Sequence, residues 1–238
     1  MNTLKLKNTL NLIGKMIQYN FRIIFGGRFI WFLLSAFAFY VFIAIMAVWN
    51  GELPDDEFVY GALTFPAILL IFYPMTFGIQ NDLDAGILEI LFGIPDYRYK
   101  VWLVRLVLVF VLVFFLLLGF AGVSSIFLTR VDLLEMSSQL MFPVFFLGSM
   151  AFMFSTIIKN GNGTAVVMVI FGVIFLVFAD ALERTFWNVF LNPFNVPRRM
   201  NEVMWEGIAL KNRIFLVVGA LVFVLYGLFN LQKREKFI

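Results

Sequence analysis

Six stretches of this chain contain no Asp, Glu, Lys or Arg: residues 29–49, 58–79, 106–128, 140–158, 164–179 and 214–231. Each is a continuous apolar block rather than the short alternating pattern of a half-buried strand, and most match the roughly 20 residues that cross a bilayer core. Peptide groups in hydrocarbon find no water, so each block must satisfy its own backbone as a helix. The fold class this predicts is all-α and integral to a membrane, a single transmembrane domain over 1–238 with six spans. The fifth block is short and is expected to gain a turn from Asn162 and Gly163 or from residues 180–182.

Composition closes off a soluble alternative. The chain is 62% hydrophobic and 14% charged, whereas soluble domains are nearer half apolar and a quarter charged. The first block is too long for the apolar core of a secretory signal and is not followed by a small-residue cleavage site, so it is read as retained. With no Cys and no His, disulfides, thiolate chemistry and His- or Cys-ligated metals are excluded, and a carboxylate-only metal site has no support.

Orientation follows from the basic residues. An inside N terminus puts Lys5, Lys7, Lys15, Arg22, Arg28, Arg98, Lys100, Arg105, Lys159, Lys233, Arg234 and Lys236 in the cytoplasm, and the acidic Glu52, Asp55, Asp56 and Glu57 in the first external loop. That distribution obeys the positive-inside bias and predicts that both termini are cytoplasmic. It also places Asn162-Gly163-Thr164 inside, which discounts that sequence as a glycosylation acceptor.

Ahead of the first span, Leu10, Ile13, Ile17, Phe21 and Ile24 share one helical face and Lys7, Lys15 and Arg22 another. This periodicity predicts an amphipathic helix in the inner interface over 1–28; the competing reading is a basic flank that only sets topology. Between spans five and six, residues 183–213 are too apolar for a solvated loop. Phe186, Trp187, Val189, Phe190 and Leu191 precede the breaker Asn192-Pro193-Phe194-Asn195-Val196-Pro197, and Met200, Val203, Met204 and Ile208 follow at helical spacing. Two short outer-leaflet helices are expected, either as a gate or as plain interfacial packing. Asp180 and Glu183 are expected at a wet interface. Pro66 and Pro74 in the second span and Pro143 in the fourth read as structural kinks rather than hinges.

The loop over 80–100 reads Q-N-D-L-D-A-G-I-L-E-I-L-F-G-I-P-D-Y-R-Y-K. Asp82 or Asp84 can cap a helix there, Leu83, Ile87, Ile90, Leu91 and Ile94 give it one apolar face, and Pro95 ends it. Asp96 is placed to cap the third span. A short amphipathic helix with charged edges suits docking in a partner's groove. The bland reading of Glu89 is a solvated carboxylate, and that of Arg98, Lys100 and Arg105 is topology and snorkelling.

Asp82 and Asp84, then Gly86-Ile87-Leu88-Glu89, then Ile90-Leu91, then Pro95-Asp96-Tyr97-Arg98 resemble the cytoplasmic signature of ABC-2-type (type V exporter-like) transporter permeases. The six spans, the basic N-terminal helix and the apolar external stretch are similar to that family too, over essentially the whole chain. The resemblance implies that Asp82, Asp84, Gly86, Leu88, Glu89, Leu91, Pro95 and Arg98 couple the spans to a separate ATPase subunit. It further implies an exporter in a bacterial inner membrane, built on a second permease copy or paralogue, with ATP and Mg held by the ATPase and no cofactor in this chain. The only Gly-Lys here is Gly14-Lys15, followed by Met16, so no phosphate-binding loop of the G-x-x-x-x-G-K-[ST] form is present.

Rival functions remain distinct in their requirements. An ion-coupled carrier usually keeps ionisable groups within its spans, and the six uncharged blocks hold none. A lipid enzyme needs an acid–base constellation, and no paired carboxylates fall in a span. A non-transporting envelope assembly or mechanotransmission protein shares every feature above. Membrane lipid is the expected surroundings and nucleic acid is not expected as a partner; aromatic-rich, uncharged spans suit a lipid or amphipathic substrate, although any lipid-facing helix requires the same composition, and no substrate-binding residue is legible.

Overall fold

The computed structural model describes residues 29–51, 53–84, 86, 98–197 and 200–232. The expected interfacial helix over 1–28 lies outside the described residues, as do residues 85 and 87–97 of the expected coupling loop over 80–100. The fold within them is helical: α1 (Phe29–Trp49), α2 (Asp56–Asp84), a π-helical turn (Arg98–Leu103) running into α3 (Val104–Phe127), α4 (Leu133–Ile158), α5 (Gly161–Ala179) and α6 (Glu202–Asn230). All six are long and apolar enough to cross a membrane, and the chain is an integral membrane protein. At 29 residues each, α2 and α6 are roughly 43 Å long and outreach a hydrocarbon core of about 30 Å.

The helix starts are set by polar caps rather than by hydrophobicity. The Asp55 carboxylate accepts from the Phe58 amide at 2.9 Å, and Asp132 accepts from Leu134 and Glu135, each at 2.9 Å. Asn160 accepts from Gly163 at 2.9 Å and Asn201 from Met204 at 2.8 Å. Each satisfies a first-turn amide that has no partner within its helix. Only Lys159, in left-handed backbone at φ 61°, and Asn160 separate α4 from α5, which turns the chain back on itself. The backbone continues as helix through Pro66, Pro74 and Pro143.

Helix α4 is the centre of the bundle and packs most extensively on α6 and α2. Two glycines permit that. A Cβ on Gly148 would meet Ile71 Cγ1 of α2 at 2.6 Å, and one on Gly227 of α6 would meet the Phe152 ring of α4 at 2.7 Å. Small residues let membrane helices approach closely where no hydrophobic force drives them together. Helices α1 and α5 are peripheral, with few buried residues, and their exposed faces are apolar, including Trp31, Phe42, Ile170, Val173 and Val177. A surface of that kind suits lipid, not water.

The external stretch departs from expectation. Residues 180–197 form a series of turns without a helix, and the apolar positions after Asn201 belong to α6 itself rather than to a separate short helix. The cause is the Asn201 cap, which starts a helix that runs unbroken through Lys211 and Arg213 into the span.

Candidate functional site

The two ends of the bundle each carry a layer of buried polar groups, and both include charges that the uncharged blocks leave out. The six runs hold no ionisable residue, but the helices extend past them and bury Asp82, Arg105 and Arg213 just beyond the ends of the runs.

The first layer lies where residues 85–97 join α2 to α3. Asp82 was expected as a helix cap in the loop; it stands instead in the last turn of α2, 2% exposed. Arg105 Nη1 donates to its carboxylate at 2.6 Å. A carboxylate at a helix C terminus and a cation at a helix N terminus are each disfavoured by their own helix dipole, so each residue offsets the other's misplacement. The Arg105 guanidinium also sits over the Trp102 ring at 5.0 Å. Asp84, likewise no cap, is exposed and accepts from Gln80 Nε2 at 3.4 Å. Gly86 stops α2: its φ of 65° is left-handed, and its amide returns to the Leu83 carbonyl at 3.0 Å, the usual role of glycine just past a helix.

Neighbouring contacts extend that layer. The Gln80 side chain accepts from the Gly161 amide at the start of α5, and Asn230 Nδ2 donates to the Thr156 carbonyl at 2.6 Å, tying the ends of α6 and α4. The end of α2 is thus bonded to both α3 and α5. Of the motif, Asp82, Asp84 and Gly86 are described and Arg98 opens the π-helical turn; Leu88, Glu89, Leu91 and Pro95 lie outside the described residues.

The second layer lies at the opposite end. Arg213, 7% exposed, is one residue short of the apolar run over 214–231. Its Nε donates to Gln139 Oε1 and its Nη1 to Asn212 Oδ1, each at 2.9 Å, and its plane lies 5.1 Å over Phe142. Tyr60 lies near the same guanidinium. Arg213 Nη2 is buried beside Tyr60, and no carboxylate among the described residues forms a salt bridge with Arg213 as Asp82 does with Arg105.

This layer also holds the strap over 186–194. Asn212 Nδ2 donates to the Phe186 and Asn188 carbonyls at 2.9 and 2.8 Å. The Tyr60 hydroxyl donates to Leu191 at 3.3 Å, Trp205 Nε1 to Pro193 at 2.9 Å, and Asn192 Nδ2 to Glu57 at 3.0 Å. Sequence reading missed this network; the clustering of Asn188, Asn192, Asn201 and Asn212 around an apolar stretch was its available signal. Asp180 and Glu183 are exposed.

Between the layers, α1, α2, α4 and α5 enclose an apolar cleft of about 360 Å³ that the strap residue Phe190 also lines. Among the described residues no three Asp or Glu side chains converge as a metal site would need. Compared with known proteins, the chain matches no protein-family model, no curated protein and no solved structure.

Proposed function

We propose that this chain is the membrane-spanning permease subunit of an ATP-driven exporter of the ABC-2 type. In this reading the termini and residues 80–100 face the cytoplasm of a bacterial inner membrane, and two permease subunits sit on separate ATPases that hold ATP and Mg.

The observation that carries it is the position of the motif. Gly86-Ile87-Leu88-Glu89 follows directly on a helix whose last turn is locked to α3 by Asp82 and Arg105 and to α5 by Gln80. A force applied to that segment by a partner therefore reaches α2, α3 and α5 together rather than being absorbed in one flexible helix end. The rotation of several packed helices as one body is the kind of movement that opens a path through a bundle. Arg98 opens the π-helical turn that leads from the segment into α3; irregular turns of this sort recur at functional sites.

A second reading is favoured by one specific observation. Buried ionisable groups within helices are what an ion-coupled carrier uses, and Asp82, Arg105 and Arg213 are such groups. The test that separates the two is cross-linking. The chain has no Cys, so Glu89→Cys gives a single attachment point. Cross-linking from it to a co-expressed ATPase supports the permease, while flux driven by an ion gradient with no ATPase partner supports the carrier. A mechanical role shares the ATPase contact but gives no flux.

A further inference from the structure

Lys211 stands without a counter-charge on the face of α6 that looks away from the bundle. Two residues further on, Arg213 turns in to Gln139 of α4, and a step of two residues is about 200° round a helix, so Lys211 points outward; it is exposed. The positions one turn to either side, Gly207, Ile208, Ile214 and Phe215, carry no carboxylate. Among the described residues none forms a salt bridge with Lys211.

An apolar groove continues from it along the same helix. Lys211, Ile214, Phe215, Val218 and Gly219 of α6 line it together with Phe186 of the strap, and it holds about 430 Å³. From Lys211 to Gly219 the groove follows α6 for roughly 12 Å, at a rise of about 1.5 Å per residue. Its surface is almost wholly apolar, so Lys211 contributes its methylene stem and keeps the ammonium outside. Side chains lean toward the N terminus of their helix, which carries that ammonium away from the uncharged run over 214–231. Exposed Trp187 lies 4.9 Å from Phe215, ring centre to ring centre, and Trp gathers where a membrane meets water. Cation and groove therefore share one helix face, at the end of the run that crosses the membrane.

We propose that this groove binds one anionic phospholipid from the leaflet at that end of the bundle, with an acyl chain along Ile214, Phe215 and Val218 and its phosphate on Lys211. The charge selects the occupant. A groove without a cation takes any chain, whereas an unpaired ammonium at its mouth favours a lipid of net negative charge over a zwitterion that carries its own cation. The site requires only that the chain is an integral membrane protein, so its failure leaves the permease reading untouched.

The full chain is reconstituted in dioleoyl phosphatidylcholine vesicles containing a trace of phosphatidylglycerol, or of phosphatidylcholine, with a diazirine in the acyl chain. After irradiation the adducts are mapped by mass spectrometry and referred to those at Phe42, which is exposed on α1 within an uncharged run. The phosphatidylglycerol probe is expected to label Phe186 and residues 214–219 about fivefold more than the phosphatidylcholine probe, the preference one lysine near a membrane surface confers. Lys211→Gln removes that difference and Lys211→Arg keeps it. Val218 is 54% exposed, so Val218→Trp folds, fills the groove and lowers labelling of Phe186 and Phe215 by both probes severalfold. Equal labelling by the two probes, a preference that survives Lys211→Gln, or labelling untouched by Val218→Trp each overturns the proposal.

Discussion

Arg105 donates to Asp82 at 2.6 Å across the gap between α2 and α3, so the two helices that flank residues 85–97 are joined at the point where those residues leave them. Breaking a buried pair by removing one partner costs about 3–5 kcal/mol, because the other charge stays buried alone. Asp82→Ala and Arg105→Ala are therefore each expected to lower the unfolding temperature in detergent strongly. The double substitution Asp82→Leu with Arg105→Met is expected to recover most of the loss. Single variants as stable as wild type would remove the clamp from the account.

Helix contact at the bundle centre has its own test. Gly227→Ala brings a Cβ against the Phe152 ring at 2.7 Å and is expected to destabilise α4 against α6 by about 1–3 kcal/mol, the usual range for overpacking. Gly172→Ala, with nothing within 4 Å, serves as the neutral control. Thermal unfolding of the two variants side by side reads the difference directly.

The strap over 186–194 depends on Asn212. Asn212→Ala frees the Phe186 and Asn188 carbonyls and takes one acceptor from Arg213. Cleavage by an added protease, or hydrogen exchange across 186–194, is expected to rise by an order of magnitude or more, while Tyr60→Phe, which loses one bond of 3.3 Å, has a smaller effect. Equal protection in all three proteins would show that apolar packing alone holds the strap.

Topology is open to labelling because the chain lacks Cys. Asp55→Cys is expected to react with a membrane-impermeant thiol reagent from outside intact cells, and Glu89→Cys only after the membrane is opened. The reverse pattern would invert the orientation and put the proposed coupling segment on the wrong side for an ATPase.

The six helices were legible because charge is so expensive in hydrocarbon that each span declares itself as an uncharged run. The first, 29–49, has the bounds of α1. Where helices differ from the runs, polar residues are the reason. A helix ends at a cap, not at the first charge, so α6 starts directly after Asn201 rather than after Arg213. The ion pair was not legible because its members, 23 residues apart, each have a plausible local role: an Asp near a loop reads as a cap and an Arg at a span's edge as a snorkelling anchor. Arg213 and Gln139 are 74 residues apart, and only the packing of α4 on α6 brings them together. The motif itself rests on short-range pattern alone; three of its residues turn out to end α2, with Asp82 turned into the bundle and Asp84 left exposed.

The central claim is that residues 85–97 pass the work of a separate ATPase into the helices. The most direct measurement is ATP hydrolysis by the complex that co-purifies with the tagged full chain from its own membranes, comparing wild type with Glu89→Ala. A coupling segment gives a wild-type complex that hydrolyses ATP and a Glu89→Ala chain that inserts normally but either loses the ATPase or leaves hydrolysis unresponsive to substrate. No ATPase in the wild-type preparation, or identical recovery and identical substrate response in the variant, would contradict it.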